Sequence, residues 1–389
     1  MNFKKLIPEI LMATAITLSP MYAKADIYKD SGIPEEIKAK IEKIVDEPSR
    51  LAGIDNFKRK RKIERIKDNI NWYKKHGKTN EYYNKFGLDI KNYRNADDFI
   101  TERELKKMAV HHGNVNPRNH IKLMKDKVIF EKVVKKHYPE IMPSTCFEFR
   151  GKKVIKASSD QVKNCQDTKS ALNSLKDGKY FIKEIRGLCG NDAILLTKKD
   201  GNLNFRHVTR GGISLDEFFK ITNKTDFMVQ EHVENHADIK KLSPYALSTI
   251  RIISTRFNDN PHILSADMRV SCKENAVVDN FHKGGAIVHV DTKTGKLARY
   301  AHRRHTKSLK VHPISGIKFE GYQLPYWKET IETIKKLHNI FPEFSSVGWD
   351  VAITPTGPKI IEGNHQWDLA VPQTTIGGVR KKWEKLKTI

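Results

Sequence analysis

The chain has 389 residues, with 71 Lys and Arg against 46 Asp and Glu, and its formal net charge is +25 at pH 7. This length suggests two or three domains, since one domain takes roughly 100–200 residues, and 17 Phe, 12 Tyr and 5 Trp supply a sizeable core. Such a composition argues against disordered, collagen-like, mucin-like and disulfide-scaffold proteins, while the charge excess points to an anionic partner such as nucleic acid, phospholipid or a phosphorylated ligand.

The N-terminus has the pattern of a secretory signal peptide. Lys4 and Lys5 precede an apolar stretch over residues 10–18, and Ala23-Lys24-Ala25 stands before Asp26. This order of basic, apolar and small-residue parts predicts a targeting segment over residues 1–25. The alternative is an amphipathic first helix that packs on the body of the protein. No later window is long and apolar enough for a transmembrane span.

Residues 26–115 are highly charged and predicted to be mostly helical. A helix start is indicated at Ile33-Pro34-Glu35-Glu36, where proline and acids occupy the first turn. A dense basic run follows within residues 56–75. Its cations are Lys58, Arg59, Lys60, Arg61, Lys62, Arg65, Lys67, Lys74 and Lys75. Such a run can bind RNA, DNA or an anionic membrane, or it is a solvated helix face above an apolar stripe of Ile63, Ile66, Ile70 and Tyr73.

From about residue 116 short β-rich runs alternate with helical ones. The predicted strands are 180–185, 193–197, 227–231, 249–257, 263–271, 285–291, 347–353 and 359–364. A core-facing helix is predicted over 327–340, with Ile331, Ile334 and Leu337 at helical spacing. The many hairpin-like neighbours predict an α+β body with largely antiparallel sheets.

The four cysteines are scattered along the chain at positions 146, 165, 189 and 272. No C-x-x-C spacing or pairing with histidine is present, which argues against structural zinc. Free or buried thiols are expected, with one or two disulfides as the alternative.

The last two predicted strands contain the most specific candidate site, a set of possible metal ligands. Glu362 and Asn364 share one face of their strand because alternate residues do. Pairing with the preceding strand can place Asp350 beside them. Two carboxylates and one carbonyl oxygen on a stiff sheet suit a hard divalent cation, naturally Mg²⁺. The alternative is that these acids only neutralise neighbouring cations.

Candidate phosphate-binding residues lie upstream. Lys183 sits in an otherwise apolar strand, where an unpaired ammonium is costly, so it should face an anion or a carboxylate. The glycine-bearing connection 186–192 can close over phosphates with its N–H groups, and Lys127 lies at the start of a helical run. Arg251 and Arg269 alternate outward from strands and can clamp a phosphoryl group or a carboxylate, or form ordinary salt bridges.

The order of these pieces resembles the ATP-grasp superfamily. The series is Lys127, Lys183 with its glycine loop, Val229–Glu234, Thr249–Ile252, and Asp350 followed by Glu362-Gly363-Asn364. Further pieces are similar to one branch, the sugar-transfer-associated ATP-grasp proteins, which are related to the α-L-glutamate ligases. They are Tyr82–Leu88, Ser248–Arg251, Val278–Asn280 with Gly284-Gly285, His312-Pro313, Gly321 with Pro325–Trp327, and Gly348–Asp350 through Gly357-Pro358. The resemblance covers roughly residues 80–375.

This resemblance implies an ATP-grasp domain over 116–380, in which a lid subdomain (about 150–230) and a core subdomain (about 231–380) clamp a nucleotide. Lys127, Lys183, Gly187 and Gly190 would bind ATP phosphates, Gln230, Glu231 and Val233 the adenine, and His236 or Asp238 the ribose. Asp350, Glu362 and Asn364 would carry Mg²⁺, while Arg251 and Arg269, with Lys183, would stabilise the transferring phosphoryl group. Asp279-Asn280, Gly284-Gly285 and the segment His365–Asp368 are candidates for the acceptor side. His302, His305 and His312 are further candidates, or ordinary solvated loop histidines.

Two functions are therefore expected as alternatives. The first is an ATP- and Mg²⁺-dependent ligase that activates a small carboxylate for attack by an amine or a sugar-linked nucleophile, in surface polysaccharide or peptide-like metabolite biosynthesis. The second is a non-catalytic exported protein that binds polyanions through its basic helices. Nucleic acid is not the expected partner of the first, and the oligomeric state is left open. A signal peptide implies a periplasmic or secreted protein, which conflicts with an ATP requirement, so a cytoplasmic location stays the alternative.

Overall fold

The structure is a computed structural model that describes residues 27–29, 31–110, 120–187, 192–279 and 284–388. The predicted signal segment, Gly190 and Cys189 lie outside these residues. The helices are α1 (Glu35–Asp46), α2 (Lys62–His76), α3 (Glu102–Val110), α4 (Lys122–Lys125), α5 (Lys127–His137), α6 (Thr168–Ser174), α7 (Leu215–Thr222), α8 (Ala237–Leu242), α9 (Trp327–Asn339), α10 (Ala370–Ile376) and α11 (Arg380–Lys387). None of them is both long and apolar enough to cross a bilayer.

The strands form two antiparallel sheets. They are β1 (Thr145–Arg150), β2 (Lys153–Ala157), β3 (Gly178–Glu184), β4 (Ile194–Lys199), β5 (Asn202–His207), β6 (Gly211–Ile213), β7 (Phe227–Glu231), β8 (Ile250–Phe257), β9 (Asn260–Val270), β10 (Ala286–Val290), β11 (Leu297–Arg303), β12 (Ser346–Thr354) and β13 (Gly357–Asn364). The seven-stranded sheet has the order β2-β1-β7-β3-β4-β5-β6, and the six-stranded sheet the order β11-β10-β9-β8-β12-β13. The predicted α+β class with antiparallel sheets is confirmed.

The seven-stranded sheet is covered on its apolar face by α6 and α7. Leu172 of α6 and Phe218 of α7 are fully buried against Phe149 and Ile182. α7 starts at Ser214, which accepts a hydrogen bond from the Glu217 N–H in a capping box, and this cap fixes where the helix begins. The subdomain boundaries expected from the sequence, 150–230 and 231–380, stay predictions.

The six-stranded sheet has one apolar and one polar face because its residues alternate along each strand. Ile252, Met268 and Trp349 lie on the apolar face, where they pack with Ile334 and Leu337 of α9. The helix predicted over 327–340 and its buried stripe are therefore present. The opposite, polar face carries the charged side chains described below, and α10 and α11 cover part of it.

The N-terminal region packs its helices around two small cores and docks on the six-stranded sheet. Ile66 and Ile70 of α2 are buried against α1, whereas Ile63 of the predicted apolar stripe lies in the first turn and is exposed. Arg94 donates hydrogen bonds to the carbonyls of Gln373, Thr374 and Thr375 in α10. The region is thus tied to the body by backbone carbonyls that lie about 280 positions away in sequence.

The basic run is largely neutralised within the fold. Five of its nine cations pair with carboxylates: Arg59 with Asp89, Lys60 with Asp68, Arg61 with Glu64, Lys62 with Glu42 and Asp46, and Lys75 with Asp97. The cysteines at 146, 165 and 272 are free thiols, as expected.

Candidate functional site

The polar face of the six-stranded sheet brings the predicted metal ligands into register. Asp350 of β12 lies opposite Glu362 of β13, and Gly348 lies opposite Asn364. On its other side Asp350 lies opposite Arg251 of β8. Cross-strand partners project from the same face at a Cβ distance of roughly 4.5–5.5 Å. The two acids, the amide and the arginine therefore share one surface.

Asp350 is held by two guanidinium groups. Arg251 binds its carboxylate through two nitrogens, with Nη2 at 3.1 Å from Oδ2, and Arg269 Nη2 lies 2.9 Å from the same Oδ2. Burial alone would raise the pKa of Asp350, but the two arginines outweigh it and lower the pKa to about 2. The carboxylate is therefore ionised throughout the physiological range.

Arg269 has further buried partners. Its Nε donates to Thr249 Oγ1 at 2.9 Å and lies 3.7 Å from Asp279 Oδ2. Asp279 in turn accepts hydrogen bonds from the N–H and the hydroxyl of Thr249, each at 2.7 Å. Burial raises the pKa of Asp279, and Arg269 opposes that effect. From the sequence, Asp279 was expected on the acceptor side. No local sequence pattern links it to Arg269, ten positions upstream on β9.

Glu362 and Asn364 complete an oxygen-rich donor set. Within the described part of the chain the Glu362 side chain forms no hydrogen bond or ion pair. Asn364 donates its side-chain amide N–H to the Gly348 carbonyl at 3.2 Å, which leaves its side-chain oxygen for another partner. The described residues contain no cluster of three or more His, Cys, Asp and Glu side chains suited to a metal ion. The set is thus two carboxylates and one amide oxygen, which fits a hard cation that keeps waters or phosphate oxygens as its other ligands.

Two glycines allow this hairpin to be packed on both faces. A Cβ on Gly348 would lie 2.8 Å from the Cβ of Trp367, and a Cβ on Gly363 would lie 2.7 Å from the sulfur of Met124 and 2.9 Å from the Phe130 ring. These separations are too short for any side chain. The glycines beside Asp350 and Asn364 therefore let Trp367 and α5 approach the hairpin closely.

The predicted phosphate-binding lysines approach this face from the seven-stranded sheet. Lys183 of β3 is half-buried, and burial together with the nearby Lys127 lowers its pKa to about 8, against the smaller opposing effects of Glu362 and Asp350. Lys127, the first residue of α5, donates to the Gly187 carbonyl at 2.7 Å. Lys183 is thus within electrostatic reach of Lys127 and of the hairpin acids Glu362 and Asp350, and Lys127 contacts Gly187, while Gly190 lies outside the described residues.

Glycine is required at position 187, where a Cβ would lie 2.3 Å from Glu184 Oε2. The loop that begins here is tied to α5 by Arg186, whose Nε donates to Asp126 Oδ2 at 2.9 Å. Asp126 also accepts from the N–H groups of Val128 and Ile129 as the N-cap of α5. One aspartate therefore fixes both the helix start and the loop entrance.

The predicted adenine and ribose residues lie between the last two residues of β7 and the first turn of α8. The buried Gln230 side chain donates to Glu131 at 3.0 Å, and the Glu231 N–H donates to the Ser144 carbonyl. The Val233 N–H makes no hydrogen bond within the described residues. Gln230 is therefore engaged internally, and Val233 offers a free backbone donor in this segment.

His236 and Asp238 stand at the start of α8. The His236 ring accepts from the Asp238 N–H at 3.2 Å as the N-cap of the helix, and the His236 N–H donates to the Ile353 carbonyl of β12 at 2.8 Å. The segment therefore bridges the two sheets three residues from Asp350.

The histidine-rich stretch is not a set of solvated loop side chains. His302 and His312 are buried, and only His305 is exposed among the three. His302 bonds the Ser308 hydroxyl at 3.1 Å, and burial lowers its pKa to about 3. His312 bonds the Ser271 carbonyl at 2.9 Å. The expectation of ordinary solvated histidines is wrong for these two, because long-range strand pairing encloses them.

The whole arrangement places the two lysines on one side of the site and the carboxylates, with their paired arginines, on the other. Two lysines come from the seven-stranded sheet and α5, whereas the carboxylates and arginines come from the six-stranded sheet. A chain of phosphates with a divalent cation has the charge pattern that fits between them. The assignment of individual residues to roles stays a prediction.

Comparison with known proteins agrees with this geometry. The sequence matches the sugar-transfer associated ATP-grasp family over residues 107–387. No curated protein matches it.

Similar solved structures include several ligases. One is the D-alanine–D-alanine ligase from Helicobacter pylori (8% identity, TM-score 0.39, covering 68% of this chain and 61% of that one). Another is the VanG D-Ala:D-Ser ligase from Enterococcus faecalis (12% identity, TM-score 0.34, 68% and 61%). A third is an N5-carboxyaminoimidazole ribonucleotide synthetase in complex with ADP (10% identity, TM-score 0.36, 63% and 45%). The chain thus spans about half to three fifths of the length of these structures, and such scores carry no statement about function.

The family match extends over most of the chain and contains Lys127, Lys183, both arginines and the Asp350–Asn364 hairpin. The chain therefore belongs to the sugar-transfer associated ATP-grasp family.

Proposed function

We propose that the protein is an ATP- and Mg²⁺-dependent ligase that activates a small carboxylate as an acyl phosphate for attack by an amine or a similar nucleophile. We place its product in surface polysaccharide or peptide-like metabolite biosynthesis. The observation that carries the proposal is that Lys183 lies within electrostatic reach of Lys127, Glu362 and Asp350, and that two arginines bind Asp350.

The proposed reaction has two steps. A carboxylate oxygen of the substrate attacks the γ-phosphorus of ATP, the bond to the β–γ bridging oxygen breaks, and ADP leaves. An amine nitrogen then attacks the acyl carbon, phosphate leaves with the electron pair of the C–O bond, and the amine releases one proton. The net products are an amide, ADP, inorganic phosphate and a proton.

The residues of the chain supply positioning and charge. Lys127 and Lys183 would bind the phosphates, and Arg251 and Arg269, held in place by Asp350, would stabilise the phosphoryl group during transfer. Asp350, Glu362 and Asn364 would hold Mg²⁺, which neutralises phosphate charge when it is bound.

The remaining predicted residues would bind the nucleoside. The free Val233 N–H and the neighbouring Glu231 would receive the adenine edge, and His236 or Asp238 would bind the ribose. The side chain of Gln230 would act through the backbone it stabilises rather than by direct contact, since it already bonds Glu131.

A polyanion-binding role receives less support. Most cations of the basic run in residues 56–75 already pair with carboxylates of the same region. Paired surface cations have less net charge to offer a polymer of phosphates. Polyanion binding is therefore not the function that we propose.

Nucleotide-linked stability tests the proposal. Thermal unfolding is measured with and without Mg·ADP, and a ligand at 100 times its Kd should add about 2.7 kcal/mol to the free energy of unfolding. Lys183→Ala should abolish the gain, whereas Lys153→Ala, an exposed lysine of the same sheet, should keep it. If millimolar Mg·ADP did not increase the free energy of unfolding of the wild type, the proposed enzymatic function would be refuted. Product mass from ATP-dependent assays with candidate carboxylates and amines then identifies the substrates.

A further inference from the structure

A cavity lies between the N-terminal region and the six-stranded sheet. Arg50, Tyr82 and Lys85 line it from the N-terminal region, and Ile287 of β10 and His302 of β11 line it from the sheet. Water can enter about 60 Å³ of this space, which at roughly 10–15 Å³ for each water has room for about four to six waters. The cavity therefore fits one small functional group and not a whole nucleotide.

The lining of the cavity is strongly cationic. Arg50, Lys85, Arg303 and Arg304 all contribute to it, against the single carboxylate of Asp368. Lys85 and Arg303 form no ion pair with any described residue, and the Lys85 ammonium instead lies 5.0 Å from the centre of the Tyr82 ring. Lys85 and Arg303 therefore differ from the five cations of the basic run that pair with carboxylates.

Arg50 supplies an unpaired donor. The residue is only 7% exposed, and its Nη1 donates to the His305 carbonyl at 2.7 Å. Its buried Nε has no hydrogen-bond partner among the described residues. Arg50 lines the cavity, so an oxyanion there would compensate the buried charge of its guanidinium group.

The cavity lies beside the charged network of the candidate site. Ile287 pairs with Arg269 of β9 on one side and with His302 of β11 on the other. Cross-strand partners share a face, so the cavity opens on the polar face one strand away from Arg269. Arg269 in turn binds Asp350. A substrate anchored in the cavity would thus extend along the sheet toward the site of phosphoryl transfer.

We propose that this cavity binds an oxyanion substituent, a carboxylate or a phosphate, of the substrate that is joined in the ligation. The inference rests on the proposed function, since it assigns the cavity to a substrate of that reaction. It also gives the N-terminal region a direct part in substrate binding, through Arg50 and Lys85.

Anion binding to nucleotide-free protein tests this assignment. Inorganic phosphate and acetate are titrated at constant ionic strength set with chloride, and binding is followed by calorimetry and by the unfolding midpoint. Lys85→Gln and Arg303→Gln should each weaken binding about tenfold, the loss expected for one charge-assisted contact. Lys43→Gln, which removes an exposed charge from the same region, should bind like the wild type. Tighter binding of phosphate than of acetate, or the reverse, identifies the group.

A second set of variants separates this site from the nucleotide site. Lys183→Ala should retain anion binding, and Lys85→Gln and Arg303→Gln should retain their affinity for Mg·ADP. Anion binding that disappears in Lys183→Ala, or that is unchanged in both Lys85→Gln and Arg303→Gln, overturns the inference. Absence of saturable binding of either anion to the wild type overturns it as well. If the anions bind as expected but Mg·ADP does not, the cavity is an anion site and it is the proposed ligase activity that fails.

Discussion

Replacing Asp350 by asparagine removes one negative charge from the polar face and keeps the shape of the side chain. Burial opposes ionisation of this carboxyl group, yet Arg251 and Arg269 hold its pKa at about 2, against an ordinary value of 3.8. Since one pKa unit corresponds to about 1.4 kcal/mol, the ionised carboxylate contributes about 2 kcal/mol to the free energy of unfolding at pH 7. We expect Asp350→Asn to lose about this amount, and to lose ATP turnover.

The stability difference between the wild type and Asp350→Asn should depend on pH. A carboxylate whose pKa is lowered by folding stabilises the native state above its unfolded-state pKa, and this contribution is lost as the pH falls toward the folded-state value. The difference between the wild type and Asp350→Asn in urea unfolding should therefore be constant from pH 7 to pH 5. By pH 3 it should have fallen to about half.

Asp279→Asn serves as the matched comparison, because Asp279 also approaches Arg269. Burial raises the pKa of Asp279, so its ionised form opposes folding above the unfolded-state pKa, and its loss should cost less than the loss of Asp350. If Asp279→Asn destabilised the protein as much as Asp350→Asn, or if the Asp350→Asn difference did not shrink below pH 4, the electrostatic reasoning would be refuted.

Three further predictions concern other parts of the molecule. Because burial lowers the pKa of Lys183 to about 8, the affinity for Mg·ADP, measured by calorimetry, should be constant from pH 6 to 7. Above pH 8 it should decrease by up to about tenfold for each pH unit. Lys183→Arg should shift this decrease to higher pH, and an unchanged profile would contradict the role of Lys183. Gly348→Ala would place a Cβ 2.8 Å from Trp367 and 3.2 Å from Arg251, so urea unfolding should show a loss of about 1–3 kcal/mol, and a neutral substitution would count against this packing. If residues 1–25 are a signal peptide, the mass of the protein recovered from expressing cells should correspond to a chain that starts at Asp26, whereas an intact Met1 would support the cytoplasmic alternative.

The sequence was sufficient for features that depend on local periodicity. The alternation along β12 and β13 was enough to place Asp350, Glu362 and Asn364 on one face, and the three-residue spacing of Ile331, Ile334 and Leu337 identified the core-facing side of α9. These features follow from the geometry of a single strand pair or helix, which nearby residues determine.

The features that could not be predicted from the sequence all depend on contacts between distant segments. The pairing of Arg269 with Asp350, the burial of His302 and the contribution of Lys85 to the cavity arise only when strands and loops far apart in sequence meet. The pairing of the basic run depends in part on tertiary structure as well, since two of its acidic partners, Asp89 and Asp97, lie downstream of it. Charge in a sequence window is a poor guide to net charge on the folded surface, because pairing is decided by tertiary structure.

The carbonyl contacts of Arg94 have a practical consequence for dissecting the protein. The family match begins at residue 107, which would suggest that the preceding residues are a removable appendage. Truncation there would cut through α3 and remove Arg94, the hydrogen-bond donor to three carbonyls at the end of α10. It would also remove Arg50 and Lys85, which line the cavity. An inactive or insoluble fragment obtained in that way would report a broken structural unit, because the boundary of sequence similarity does not coincide with the boundary of the folded body.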